Sequence, residues 1–329
     1  MELSLIIIGV ILLVILICLI GGIVLHNKIF NHRFDLDGII KYYTVEEYDG
    51  LKADKVEFKV DKNILRGYFY HYDCEYKAVI IFAHGMWSSH KAYLQEIALL
   101  AQNGYLVLGF DYVGTDLSDG KSLKGFTNSV ESLDHAIKFV KNLNMNLDIY
   151  VMGHSWGGYT SLAITKFHPD IKKVVSMAPF ISVKQLLKYM VPKYLRFIAY
   201  FIWFIDYLQC RKYAKINLLR DLNDYHGQAL IIHSKDDSMV NYNSHTKKLE
   251  DIFSNKFDFL IVDNKNHNPD YTLEAINYTK SVFSKMKEIP KAEVVNYRKS
   301  LDYHKMGEID LEVFNVILNF FNDGELEDE

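Results

Sequence analysis

Cysteine is scarce in this chain, with three among 329 residues. Cys18, Cys74 and Cys210 are an odd number, and Cys18 sits inside an apolar N-terminal run, away from any partner. A disulfide framework is therefore excluded, and a reducing compartment fits. None of the three neighbours another Cys or a His at metal-ligand spacing, which leaves them as small hydrophobes. Clustered positive charge is lacking too. The formal net charge is −4, with both signs interspersed. With neither RNP-like nor Cys/His finger spacing, nucleic acid is not expected as a partner. There is no Walker loop, no H-E-x-x-H and no G-x-G-x-x-G, so no metal or nucleotide chemistry and no cofactor is implied. Internal repeats and low-complexity tracts are also missing.

What is present is ample apolar material: 50% of residues are hydrophobic and 24% charged, enough to pack a core without global disorder. A single α/β core commonly uses more than about 200 residues, so one domain with attachments is the simplest organisation.

The first attachment is plain. Leu3 to Leu25 reads LSLIIIGVILLVILICLIGGIVL, an uncharged run that as a helix reaches roughly 34 Å. That spans a hydrocarbon core of about 30 Å. A cleavable signal would carry a basic start and a shorter apolar stretch; only Glu2 and the terminal amine precede this run. A core helix would show a polar face, and this run has none. Residues 1–27 are thus expected to be an uncleaved anchor. Lys28, Arg33 and Lys41 follow it while no Lys or Arg precedes it, which places the remainder on the cytoplasmic side; Asp35 and Asp37 weigh little against that. Residues 28–50 are mixed and mostly polar and read as a connecting stalk, leaving 51–329 for the domain.

Within the domain, Lys55–Val60 and Ile64–His71 flank Asp61-Lys62-Asn63 and predict an edge hairpin. Apolar runs at Ala78–Ala83, Tyr105–Phe110, Ile149–Met152, Lys173–Met177, Ala229–Ile232 and Phe257–Val262 have the continuous character of strands buried on both faces. Helical stretches near Tyr93–Ala101, Ser129–Val140, Tyr159–Phe167 and Ser244–Phe253 alternate with them. This alternation predicts a mostly parallel sheet covered on both sides, with ligands beyond the carboxyl ends of its strands.

Beyond one such end lies Gly153-His154-Ser155-Trp156-Gly157-Gly158, followed by a helix. This is G-x-S-x-G between strand and helix, a turn that lifts the Ser155 hydroxyl clear of the sheet. The helix N-terminus favours negative charge there, which suits an anionic intermediate.

Here the chain resembles the α/β-hydrolase superfamily, in particular its branch of esterases, monoacylglycerol-lipase-like enzymes and serine aminopeptidases of the S33 type. The resemblance runs from about Val56 to about Phe321 and implies the α/β-hydrolase fold: a mostly parallel central sheet flanked by helices, with a helical cap, here preceded by a transmembrane helix. His84-Gly85 matches the family's oxyanion-loop motif, which implies an oxyanion hole of the Met86 and Trp156 backbone N–H groups. Asp111-Tyr112-Val113-Gly114-Thr115-Asp116-Leu117-Ser118 is similar to the family's D-x-R-G-x-G-x-S loop, with Val113 in place of Arg and Asp116 in place of the second Gly.

A serine hydroxyl needs a base to take its proton and a carboxylate to orient that base. The segment Ile232 to Val240 resembles the family's H-G-x-x-D-x-x-V, aligning Asp237 with the acid and leaving Asp236 beside it. The strand ending at Val262 is followed by Asp263-Asn264-Lys265-Asn266-His267, where the family places its histidine. The order Ser, Asp, His is that of this fold. His84, His154 and His233 also stand near strand ends and read as structural hydrogen-bonding residues. His304 reads as a surface residue, Asp263 as solvated, and Asp111 and Ser118 as loop ties.

The cap is expected at about 180–226. Tyr194 to Leu208, YLRFIAYFIWFIDYL, is apolar on nearly all sides, and Phe180 to Cys210 carries Lys184, Lys188, Lys193 and Arg196 against one acid, Asp206. A helix packed over the sheet and a face resting on an anionic bilayer both fit. Either way the pocket beneath is greasy. The expected activity is hydrolysis of a lipophilic carboxylic ester, such as an acyl glycerol or lysophospholipid, through acyl-Ser155. Amide or peptide cleavage by the same residues is one alternative, and a hydrolase-fold protein that only binds a lipid is another. The implied partners are such a substrate and the membrane. Residues 268–310 form a charged helical insertion before an amphipathic helix at Leu311–Phe321, and no function attaches to it.

Overall fold

The apolar N-terminal run forms one unbroken helix, α1, over Glu2–Phe30. In the computed structural model, which describes residues 2–36 and 38–323, its side chains are exposed all round from Leu3 to Ile17. Asp37 and the last six residues of the span expected for the domain lie outside the described residues. Among the described residues, α1 is the one helix long and apolar enough to cross a membrane. Its last turns bury Gly22, His26 and Phe30. The segment beyond is laced to the domain: the Phe34 N–H donates to the Gly114 carbonyl at 2.9 Å, and the Asp116 N–H donates to that of Phe34 at 2.8 Å.

The sheet begins as the predicted hairpin, β1 (Lys52–Val60) and β2 (Asn63–His71), antiparallel and joined by a tight turn with Asp61 at φ 51°. Six further strands follow: β3 (Val79–Ala83), β4 (Leu106–Phe110), β5 (Ile149–His154), β6 (Lys173–Met177), β7 (Gln228–Ser234) and β8 (Asp258–Val262). Their order is β1-β2-β4-β3-β5-β6-β7-β8, parallel from β4 onward. Strands β3 to β6 are buried throughout except at Ile149. The expectation of burial on both faces fails at β8. As the sheet's last strand it lacks a second neighbour, and its residues are half-buried or exposed.

Helices cover both faces, as the alternation predicts. On one face lie α2 (Leu94–Gln102) and, from the far end of the chain, the predicted helix at Leu311–Phe321. On the other lie α3 (Asn128–Asn142) and α4 (Trp156–Ala163), joined by Phe30 of α1. Between β6 and β7 the cap unfolds as α5 (Val183–Met190), α6 (Ile198–Cys210) and α7 (Leu218–Asp221). After it come α8 (Thr246–Phe253), then α9 (Leu273–Glu288), α10 (Lys291–Lys299) and α11 (Tyr303–Met306) of the charged insertion, and α12 (Leu311–Phe321). The insertion rests on the segment before β1: His304 pairs with Glu47 at 3.2 Å.

Candidate active site

Strand β5 ends at His154 and the chain turns into α4 at Ser155, whose φ of 58° and ψ of −112° lie in a region that residues with side chains avoid. Such a conformation costs on the order of 1–3 kcal/mol and persists only when its surroundings enforce it. Two features enforce it here. The Ser155 N–H donates to the Met177 carbonyl at the end of β6, at 2.8 Å. The chain also passes so close on either side that a Cβ on Gly153 would overlap the Gly157 carbonyl oxygen, and one on Gly157 would overlap that of Ala83. The glycines of the motif are thus required by the turn that presents Ser155.

His267 reaches Ser155 from the loop after β8. Its Nδ1 lies 2.8 Å from Asp237 Oδ2, and its Nε2 lies 2.8 Å from Ser155 Oγ. Because a carboxylate oxygen only accepts, Nδ1 carries the proton and Nε2 accepts from the serine hydroxyl. Asp237 receives more than this one bond. Its Oδ1 accepts the backbone N–H groups of Met239 and Val240, each at 2.8 Å. His233 Nε2 lies 3.1 Å from its Oδ2 and 2.8 Å from the Val240 carbonyl. Burial works to raise the pKa of Asp237, but the hydrogen bonds and charges of His233 and His267 prevail and hold it well below the usual carboxylate range. Asp236 is turned elsewhere: its Oδ1 accepts from the Ser234 hydroxyl at 2.5 Å and from the Asn266 N–H at 3.1 Å.

The other histidines named from the sequence hold the scaffold. His154 Nε2 donates to the carbonyl of His267 at 2.7 Å, and its Nδ1 lies 3.0 Å from the Tyr93 hydroxyl. Burial pushes its pKa down to about 3. His84 is stacked on Tyr112 at 3.9 Å between ring centroids and is pushed down by burial to about 4. Asp111 is buried against His90, at 2.9 Å, and its carbonyl accepts the Ser118 hydroxyl. His304 and Asp263 are exposed.

Met86 lies in the loop after β3 and Trp156 at the first position of α4, directly after Ser155. Both border a cavity of about 400 Å³ that contains Ser155 and His267. That volume is in the usual range for small-molecule sites, about 300–1,000 Å³. The rest of its wall is mainly apolar, with Phe126, Phe180, Leu186, Met190 and Val240 among the contributors, and among the described residues no carboxylate lines it.

Among the wall residues that escape the sequence reading are Tyr93 and Ile29. Tyr93 stands at the head of α2, and nothing in its spacing ties it to His154. Ile29 belongs to α1, the segment set apart as an anchor, yet it lines the cavity. The stripe Gly22, His26, Ile29, Phe30 at helical spacing is the one signal that could have shown a docked face.

Comparison with known proteins agrees with this architecture. Residues 75–219 match the Hydrolase_4 family, described as serine aminopeptidase, S33. No curated protein sequence matches the chain. Among solved structures, a Pyrococcus furiosus esterase is 19% identical with a TM-score of 0.56, over 82% of this chain and 97% of its own. Est1E from Butyrivibrio proteoclasticus is 17% identical with a TM-score of 0.53, over 71% of this chain and 98% of its own. A Pyrococcus horikoshii acylaminoacyl peptidase is 16% identical with a TM-score of 0.55, over 86% of this chain and 44% of its own.

Proposed function

We propose that this chain is a serine hydrolase of the α/β-hydrolase superfamily that cleaves a lipophilic carboxylic ester at the end of a membrane-anchoring helix. The observation that carries the reading is the single imidazole of His267 bridging Ser155 Oγ and Asp237 Oδ2 at 2.8 Å each. In this reading Ser155 Oγ attacks the ester carbonyl carbon as its proton passes to His267 Nε2. The imidazolium so formed is held by Asp237. The oxyanion takes the N–H groups of Met86 and Trp156. Collapse expels the alcohol, which receives the proton from Nε2, and leaves acyl-Ser155. Water then attacks that ester with His267 again as base, and the acid departs.

The apolar wall supports an acyl chain over a sugar or a phosphate. Peptide cleavage is the second reading, favoured by the S33 match and the peptidase among the similar folds. It is the weaker one, because an aminopeptidase site needs an acid for the substrate's ammonium group. The one acid of Phe180 to Cys210, Asp206, is buried beside His26 instead. The long exposed apolar stretch of α1 supports a membrane span, and the basic residues after it support a cytoplasmic domain.

A fluorophosphonate probe is expected to label the protein, and Ser155→Ala to abolish labelling; a mutant that still reacts would remove Ser155 from its role. Turnover of p-nitrophenyl acyl esters against aminoacyl anilides separates the two substrate classes.

A further inference from the structure

The docked face of α1 has one-turn spacing, and each member touches a different part of the domain. Gly22 faces α6 so closely that a Cβ there would lie 3.0 Å from that of Phe201. His26 Nε2 lies 3.7 Å from Oδ1 of the fully buried Asp206 in α6. The same carboxylate oxygen accepts the backbone N–H of Phe126 at 2.5 Å. Phe30 sets its ring edge-on to Phe126 at 4.5 Å between centroids. Ile29, between these contacts, is half-buried and lines the cavity together with Phe126.

Asp206 therefore joins α1 to a wall of the Ser155 pocket. The join is rigid on both sides of Ile29. On its C-terminal side the Leu123 N–H donates to the carbonyls of Phe30 and His32 at 3.0 and 3.2 Å. The Arg33 guanidinium donates to the carbonyls of Asp116, Ser118 and Gly120. Ile29 cannot withdraw from the cavity without breaking these bonds and moving His26 away from the buried Asp206.

We infer that the end of the membrane helix is a built part of the substrate site and that Ile29 sets how long an acyl chain the pocket accepts. The inference rests on the reading of Ser155 as an acyl-forming nucleophile. A β-branched side chain leaves a fixed volume at this point of the wall. A larger residue there shortens the pocket, and a smaller one lengthens it. One methylene more or less in an apolar pocket changes selectivity by roughly 10- to 200-fold.

The test uses the full chain in detergent micelles and two fluorophosphonates, one with an ethyl chain and one with a dodecyl chain. Second-order labelling rates are measured for the wild type, Ile29→Ala and Ile29→Trp. With Trp, the dodecyl-to-ethyl ratio of rates should fall at least about tenfold; with Ala, that ratio should rise. A ratio equal to the wild type's in both variants overturns the inference, and so does a parallel loss of both rates, which would mark Ile29 as only structural. A wild type that reacts with neither probe fails differently, because it removes the hydrolase reading on which the inference stands.

Discussion

His154 Nε2 donates to the backbone carbonyl of His267 at 2.7 Å, so the residue before Ser155 holds the loop that carries His267. Since a carbonyl only accepts, His154 Nδ1 is unprotonated and accepts from Tyr93, whose oxygen in turn accepts the Gly85 N–H at 3.1 Å. One chain of bonds thus fixes the loop before Met86, the serine turn and the His267 loop relative to one another. Tyr93→Phe leaves the Gly85 N–H and His154 Nδ1 without partners, at about 1–3 kcal/mol each. It is expected to lower kcat roughly 10- to 100-fold with KM little changed, because misplacement and not binding is the fault. A change in KM alone would show that Tyr93 acts only as pocket wall. His154 itself, pushed down to about 3 by burial, should add no ionisation to the pH–rate profile above about pH 4.

Asp237 and Asp236 are adjacent in sequence and opposite in surroundings. Asn in place of Asp237 offers an N–H where His267 Nδ1 now donates, which favours the tautomer with the proton on Nε2, where Ser155 must deliver its own. Asp237→Asn is expected to reduce kcat by roughly 10³- to 10⁴-fold. Asp236→Asn keeps an oxygen for Ser234 and Asn266, and its effect on kcat should stay within about threefold. Steady-state kinetics of the two variants on one ester decide the assignment, and equal losses would contradict it.

Much of this arrangement is legible in the sequence because it depends on local pattern. Continuous apolar runs mark the strands to within two or three residues, and the glycines around Ser155 mark a turn that other residues would jam. The failures are contacts of long range. At Phe257–Val262 the pattern reads as a doubly buried strand, because hydrophobicity does not say whether a second neighbour arrives, and β8 has none. The stretch after α1 is polar enough to read as a stalk, while its backbone bonds to the loop at Gly114 and Asp116. Asp206 reads as the lone acid of Phe180 to Cys210, and its partner His26 lies 180 positions earlier in the chain, beyond any periodicity. Only the fold brings the two together.

Glu96 and Asp270 are buried acids on the far side of Tyr93, each with a carboxyl oxygen that has no partner. Burial raises Asp270 to about 7 and, together with the charge of Asp270, raises Glu96 well above the usual carboxylate range. In the unfolded chain both lose their protons near about pH 4. Between there and about pH 7 the folded state binds more protons, so stability falls as pH rises; the contribution is whole below about pH 4. Asp270→Asn should flatten that slope and raise stability at pH 8 by on the order of 1–3 kcal/mol, with a corresponding rise in melting temperature. Thermal unfolding of the micelle-bound protein across this window measures it. Parallel curves for mutant and wild type would mean that the pair does not titrate there.

Arg33 reaches three carbonyls of the 116–120 loop from outside, where the resembling motif has its own arginine and this chain has the buried Val113. Its Nε also pairs with Asp35 at 2.6 Å, but both of those groups are partly exposed, and the pair adds little. The stability therefore lies in the carbonyl bonds, which use the planar fork of the guanidinium. Arg33→Ala should cost about 1–3 kcal/mol and lower the melting temperature by roughly 3–9 °C. Arg33→Lys should recover little of this, because an ammonium group cannot serve three oxygens spread across one plane. The loop should also become open to protease near Asp116 in both variants, which separates loss of this tie from a general loosening of α1. Full recovery by Lys would show that charge alone, and not the fork, holds the segment after α1 to the domain.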